Sequence, residues 1–376
     1  TQSGYPTRLE YTDGTSEEEP ADGLYAMMRI NGYLGYSFFF DNEGVLRYEM
    51  VLEGYGPDRI LFDGDTIITC VSNGKLARLN GLGQVEQVYD LGEYALHHDI
   101  GFGQDGEILA LAELEGSENV EDLLISIDME SGEVTQLIDF KEAMSGYYEM
   151  TRPISATDDF FWQAGEWDWI HLNSLQYMEE DDSLIVSSRE TSTIIKLKNI
   201  HGDTELDWLA GDRRFWADTP YADYCLEQEG DFVPQYGQHC VEYLYDGDEE
   251  GVYYLAIYNN NYWSLNSRDD FDLELADSVG TDLYGLGDET SQVYVYKIDE
   301  NNGTFALDSS FDVPYSSIVS NGSVYGDSGH WVVNSGVSKV FGEYDAEGNL
   351  IREFSYECDM QNYRTFKYDL TGFWFE

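Results

Sequence analysis

"LISIDMESGEVTQLIDF", residues 124–140, decides the fold. Two runs rich in Leu, Ile and Val flank a polar turn with a glycine, the pattern of a β-hairpin. The arrangement recurs as "FFFDNEGVLRYEM" (38–50), "LARLNGLGQVEQVYDL" (76–91), "IIKLKNIHGDTELDWL" (194–209), "VYVYKIDENNGTFALDSSF" (293–311) and "FGEYDAEGNLIREFSY" (341–356). Six such hairpins along one chain are what the outer halves of six β-propeller blades supply. With 376 residues, each blade has about 63, enough for long loops. A β-sandwich needs no such regular recurrence. The 30 Tyr, 18 Phe and 37 Gly favour strands and turns over helices. The expectation is an all-β, six-bladed β-propeller forming a single domain over 1–376. Residues 1–25, with the acidic "TDGTSEEEPADG", are expected as a flexible arm or partial strand.

Between these hairpins lies a second kind of unit, in which a histidine opens a strand and an acidic or glycine turn returns it. The examples are "HHDIGFGQDGEILALAEL" (97–114), "IHLNSLQYMEEDDSLIVSSR" (170–189) and "QHCVEYLYDGDEEGVYYLAIYNN" (238–260). A fourth, at 316–336, has serines where the others have histidine. Equivalent strands of successive blades line the central channel, so His98, His171 and His239 should converge on one axis. His97 would fall on the opposite strand face, and His201 and His330 in surface turns. Period-two alternation places Trp167, Trp169, His171 and Asn173 on one face, an aromatic wall ending in two polar groups. The return strand brings Arg189 opposite or diagonal to His171. Histidine, amide and guanidinium together make an oxyanion site.

The chain carries 74 Asp+Glu against 19 Lys+Arg, a net −55, which argues against nucleic acid and anionic membranes as partners. No apolar run is long enough to span a bilayer, so no membrane insertion is expected. An extracytoplasmic setting (secreted, periplasmic or cell-surface) is the expectation from so acidic a surface. Cys70, Cys225, Cys240 and Cys358 form no zinc spacing. A Cys225–Cys240 disulfide, closing the loop before His239, is the expected staple.

The stretches "HHDIGFGQDGEILAL", "WDWIHLNSLQYMEEDDSLIVSSR", "GQHCVEYLY" and the closing "YRTF" resemble the bacterial aryl-sulfate sulfotransferases that work without a nucleotide sulfate donor. The resemblance runs from about residue 40 to the end and implies a six-bladed propeller with a histidine nucleophile in its channel. By position His239 is similar to that nucleophile, and His98, His171, Asn173 and Arg189 to the residues that hold the sulfuryl oxygens. A later-blade hydroxyl of the family would fall to Ser316 or Ser317, and Ser317 joins Trp169 as an expected substrate contact. The resemblance implies ping-pong transfer from an aryl sulfate donor to a phenolic acceptor, with no cofactor and no metal. It leaves the oligomeric state open.

Two rivals come from other classes. A non-catalytic propeller would bind a sulfated or phenolic ligand without turnover. A zinc site on His98, His171 and His239 with Asp99 nearby is opposed by Arg189, which repels a cation. A quinone-dependent dehydrogenase needs more blades than six. The charge makes its own prediction. An anionic donor approaches a body of net −55, and screening shortens that repulsion from about 30 Å at 0.01 M salt to about 10 Å at 0.1 M. The second-order rate constant of the donor half-reaction should therefore rise over this range, while transfer to a neutral phenol changes little. A monotonic fall, measured by stopped flow at several ionic strengths, would show that a local positive field governs capture instead.

Overall fold

Leu184 and Val186 point one way from their strand and Ile185 the other, yet all three are buried. Both faces of such middle strands are covered, so they read as continuous apolar runs rather than alternating ones, while outer strands such as Val85–Asp90 are largely exposed. The computed structural model describes every residue except 34, 52–58, 270, 272, 285–288 and 375–376. It contains six small antiparallel sheets arranged as a six-bladed β-propeller.

The third blade runs from the inside outward as Tyr94–Phe102, Ile108–Leu114, Leu123–Ile127 and Val134–Asp139. The fourth is Leu172–Met178, Ser183–Ser188, Thr193–Lys198 and Glu205–Gly211. The fifth is His239–Asp246, Val252–Asn259, Ser291–Asp299 and Thr304–Val313, with Glu227–Glu229 added parallel at its outer edge. The second is Ile60–Asp63, Thr66–Ser72, Lys75–Leu79 and Val85–Asp90. The sixth, Asn321–Tyr325, His330–Ser335, Val340–Tyr344 and Leu350–Ser355, gains Glu10–Asp13 on its rim. All six hairpins read from the sequence are outer halves of blades. Within the stretch expected as an arm or partial strand, Glu10–Asp13 is thus a strand, and Tyr5 is buried and stacked on Phe38.

Apolar clusters fill the spaces between neighbouring blades around the whole ring. Ile68 and Leu76 meet Ile100 and Ile125 between the second and third blades. Leu109 and Leu124 meet Leu175 and Leu184 one step on, and Ile185 and Ile194 meet Leu255 and Ile257 after that. Burying such side chains contributes about 1.5–3 kcal/mol each, so the six interfaces carry most of the stability.

The ring closes in the first blade. There the C-terminal strand Asn362–Tyr368 lies innermost, beside the early strands Leu24–Ile30, Tyr36–Phe40 and Leu46–Val51. An ion pair ties this blade to the sixth: Lys367 Nζ lies 2.6 Å from Glu343 Oε2, both side chains being fully buried. Lys367 also donates to Asn42 Oδ1 at 2.9 Å. Glu343 pairs with His330 Nδ1 at 2.7 Å and accepts the Tyr25 hydroxyl. Burial pushes the Lys367 amine below the ordinary lysine range. Against the opposing effect of burial, Lys367 holds the Glu343 carboxyl below its own range.

Removing one member leaves an uncompensated buried charge. Lys367→Met should cost about 3–5 kcal/mol in denaturant unfolding at neutral pH. Lys367→Met combined with Glu343→Gln should recover much of that loss. A single-variant cost under about 1 kcal/mol would be that of a surface pair and would contradict a buried seam.

Candidate active site

The inner strands of three adjacent blades are interrupted where the histidines sit. In the third blade Ala112 pairs with Leu96 and Ala110 with Ile100, so His97, His98 and Asp99 oppose Leu111 alone. In the fourth, Leu172 pairs with Ser188 and Ser174 with Ser187, leaving Asn173 extra. In the fifth, His239 pairs with Tyr258 and Glu242 with Ala256. His98, His171 and Cys240 take left-handed backbone, with φ of 52°, 46° and 57°. Such bulges re-aim side chains and cluster at functional sites. Here they bring three rings together: His98 and His171 centroids are 5.0 Å apart, and His171 and His239 6.5 Å. Tyr363, on the closing strand, completes the group at 5.3 Å from His98 and 6.2 Å from His239.

His239 Nδ1 lies 3.0 Å from the Gly237 carbonyl and 2.8 Å from Asn260 Oδ1. Gly237 O can only accept, so Nδ1 carries the hydrogen and Nε2 its lone pair. Among the described residues nothing bonds to Nε2. Burial, with the charges of His171, Arg189 and Arg364, pushes the imidazole well below the ordinary histidine range despite the opposing Asn260 bond. His239 is therefore neutral near pH 7. Asn260 is itself fixed, its Nδ2 donating to the carbonyls of Ser316 at 2.7 Å and Val319 at 2.9 Å.

His171 is the opposite case. Its Nδ1 lies 2.6 Å from Asp168 Oδ2 and 2.7 Å from Glu121 Oε2. Burial and Arg189 oppose protonation, yet the two carboxylates outweigh them and raise the pKa to about 9. At neutral pH it is an imidazolium whose Nε2–H remains the available donor. Arg189 Nη2 shares Asp168 Oδ2 at 3.2 Å, and the guanidinium stacks 4.2 Å from the Phe160 ring. Arg189 Nε is buried with no hydrogen-bond partner among the described residues, a donor left over for a ligand oxygen.

His97 and His98 face each other through Nδ1 atoms 2.9 Å apart. The bulge thus keeps His97 beside His98 rather than on the far face. Burial lowers both, His97 to about 4, so one ring donates and the other accepts.

The structure brings together His98, His171, His239 and Arg189, and places the other expected residues elsewhere. Asn173 Nδ2 donates to the Gln238 carbonyl at 2.9 Å, fixing the backbone before His239. Residues 167–171 are not strand, and Trp169 is not part of an aromatic wall: it is fully buried in the core between the third and fourth blades. There its indole N–H donates to Asp122 at 3.0 Å. The Ser317 hydroxyl donates to the Leu283 carbonyl. The Cys225–Cys240 disulfide is absent, all four cysteines being free. Cys225 packs against the core between the third and fourth blades, while Cys240 is buried at the fifth blade's bulge. His201 and His330 are not simple surface residues. Each is held between two carboxylates, His201 by Asp182 and Glu107, His330 by Glu343 and Glu18.

Glu121, Asp168, Asn260, Tyr363 and Arg364 went unread. Tyr363 and Arg364 stood within "YRTF", a usable signal; the two acids are lost among 74. Ligand atoms of His97, His98 and Glu121, and of Glu121, Asp168 and His171, lie within 4.8 Å of one another. The rival zinc grouping through His239 does not form among the described residues, since His239 belongs to neither set. Arg189 against Asp168 disfavours a cation on the second.

Among solved structures the chain is similar to a protein of unknown function from Bacteroides caccae. The identity is 8%, covering 91% of this chain and 98% of that one, with a TM-score of 0.48. It is also similar to a functionally unknown protein from Desulfotomaculum acetoxidans (9%; 92% and 98%; 0.45). A third is virginiamycin B lyase from Staphylococcus aureus (11%; 94% and 89%; 0.40). Among curated proteins no relative matches. The model of one family, described as Arylsulfotransferase (ASST), matches residues 11–368, nearly the whole length. The chain belongs to the arylsulfotransferase family.

Proposed function

We propose that this protein moves a sulfuryl group from a phenolic sulfate ester to a phenolic acceptor in two steps, without a nucleotide donor, through an N-sulfonated His239. Family membership supports aryl sulfotransfer in general. The observation that carries the finer reading is the bare Nε2 of a neutral His239, its ring 6.5 Å from that of a protonated His171.

In the first step Nε2 attacks sulfur, the S–O(aryl) bond breaks, and the phenolate leaves with the bonding pair. Positive charge develops on the imidazole, where Asn260 Oδ1 and Gly237 O already accept from Nδ1–H. His171 Nε2–H gives its proton to the departing oxygen. Its pKa of about 9 lies near the roughly 10 of a phenol, as efficient proton transfer requires. Arg189, with Nε unpaired, meets the sulfuryl oxygens, whose charge is spread in a loose transition state. In the second step the acceptor oxygen attacks sulfur and its proton returns to His171. The N–S bond then breaks and neutral His239 is restored. Splitting one transfer into two gives ping-pong kinetics. An extracytoplasmic location belongs to the same reading, motivated by the acidic composition.

Brief exposure to a chromogenic aryl sulfate, followed by intact-protein mass spectrometry, should show one acid-labile sulfuryl adduct that His239→Ala lacks. An adduct surviving that substitution refutes the assignment, and affinity without any adduct would favour a binding propeller. Arg189→Met should lower kcat/KM by about 10²–10³, the scale of one lost donor to developing charge. His171 is protonated below its raised pKa, so the donor half-reaction should fall as pH rises through about 9. His171→Gln should abolish that limb; a limb that persists would place the acid elsewhere.

A further inference from the structure

The connection from the third to the fourth blade forms a braced loop that reaches Arg189. Ile154 and Gly165–Glu166 close it through backbone bonds of 2.9 Å. Asp158 is gripped by Arg152 at 2.7 Å, and Asp159 by Tyr262 at 3.1 Å and Ser264 at 2.9 Å. The loop sets Phe160 on the Arg189 guanidinium, with Trp162 5.1 Å from Phe160. Beneath Trp162 is a cavity of about 280 Å³ lined by Leu283, Tyr284, Ile318, Val337 and Met360, with Lys339 and Asp359 as its charged lining. Trp162, Tyr284 and Met360 are each about half exposed, large apolar groups without full cover.

Three links tie the lining of the cavity to the histidine site. Ile318 lies between Ser316 and Val319, whose carbonyls hold Asn260 against His239. Gln361 of its lining is two residues from Tyr363, whose ring is 6.2 Å from His239. Leu283 and Ile318 pack on the same small cluster as Phe160.

We propose that this cavity is a second aromatic subsite, taking the distal ring of a phenolic acceptor larger than one ring while its hydroxyl reaches the sulfonated histidine. The inference rests on the sulfuryl-transfer reading. An indole, a phenol ring and a thioether suit a flat aromatic guest, by edge-to-face and sulfur–ring contacts. A cavity near 150 Å³ lined by apolar groups already holds benzene, so about 280 Å³ admits a ring and its substituents. Because bonds within the loop hold Trp162 in place, little ordering accompanies binding.

The test compares 2-naphthol with phenol as acceptors. In Trp162→Ala, and in Val337→Trp, which fills the cavity, the ratio of kcat/KM for naphthol to that for phenol should fall about tenfold, the loss of one ring's burial. A ratio unchanged in both variants overturns the subsite. Calorimetric titration of 2-naphthol needs no turnover: binding to the wild type weakened in both variants supports the cavity even if no sulfuryl adduct ever forms. Equal binding to all three proteins refutes it. Failure of the adduct experiment alone therefore falls on the transfer reading, not on the subsite.

Discussion

Arg364 is fully buried on the last strand and reaches across the channel to Asp99, 3.3 Å away. It donates to the carbonyls of His98 and Asn173, the residues displaced by the bulges of the third and fourth blades. Asp99 is held in turn by Arg59 at 3.1 Å and accepts from the backbone of Ile100 and Leu175. Four blades thus meet on one guanidinium–carboxylate pair. A bulge leaves backbone carbonyls without ladder partners, and a buried one is costly unless satisfied. The cation that satisfies these two arrives only when the C-terminal strand completes the first blade. Ring closure and the aim of the histidines are therefore one constraint, because Tyr363 enters the ring cluster on the same strand.

The outer hairpins were legible because each unites two apolar runs with a local turn signal, and both parts lie within about 15 residues. The inner hairpin of the second blade, Ile60–Asp63 with Thr66–Ser72, escaped because its strand is short and its turn brief. Convergence of His98, His171 and His239 followed from topology alone, since equivalent strands share an axis. Their faces did not. Alternation assumes period two, and every one of these strands breaks it where the chemistry sits. That is why His97 lies beside His98, and why Trp169, counted along a strand that begins only at Leu172, turned out to be core. The cysteine pairing failed for a related reason. Fifteen residues of separation permit a bridge, but Cys225 lies against the fourth blade's outer strand through Leu209 and Cys240 faces the axis near Arg59 and Arg364.

Two histidines 6.5 Å apart are driven to opposite protonation states by what touches Nδ1. An amide and a carbonyl give His239 no negative charge, so burial keeps it neutral. Two carboxylates give His171 nearly all of it, and it holds a proton through neutral pH. In the proposed mechanism, nucleophile and acid are thereby set by environment and not by residue type, the general route by which one site runs both chemistries.

The acidic composition bears on the same point. Isolated buried cations are prohibitively costly, and Arg59, Arg189, Arg364, Lys196 and Lys367 each have a carboxylate beside them. Arg59 and Arg364 share Asp99, and Glu242 acts on Arg59 as well. Arg189 and His171 share Asp168, with Glu121 also against His171 Nδ1 and Glu190 3.4 Å from Arg189. In the proposed reaction a sulfate monoester brings one negative charge into this network, within a body of net −55. A dianion such as free sulfate would bring two, with the desolvation of its second charge. On the proposed reading, that desolvation disfavours free sulfate relative to the ester.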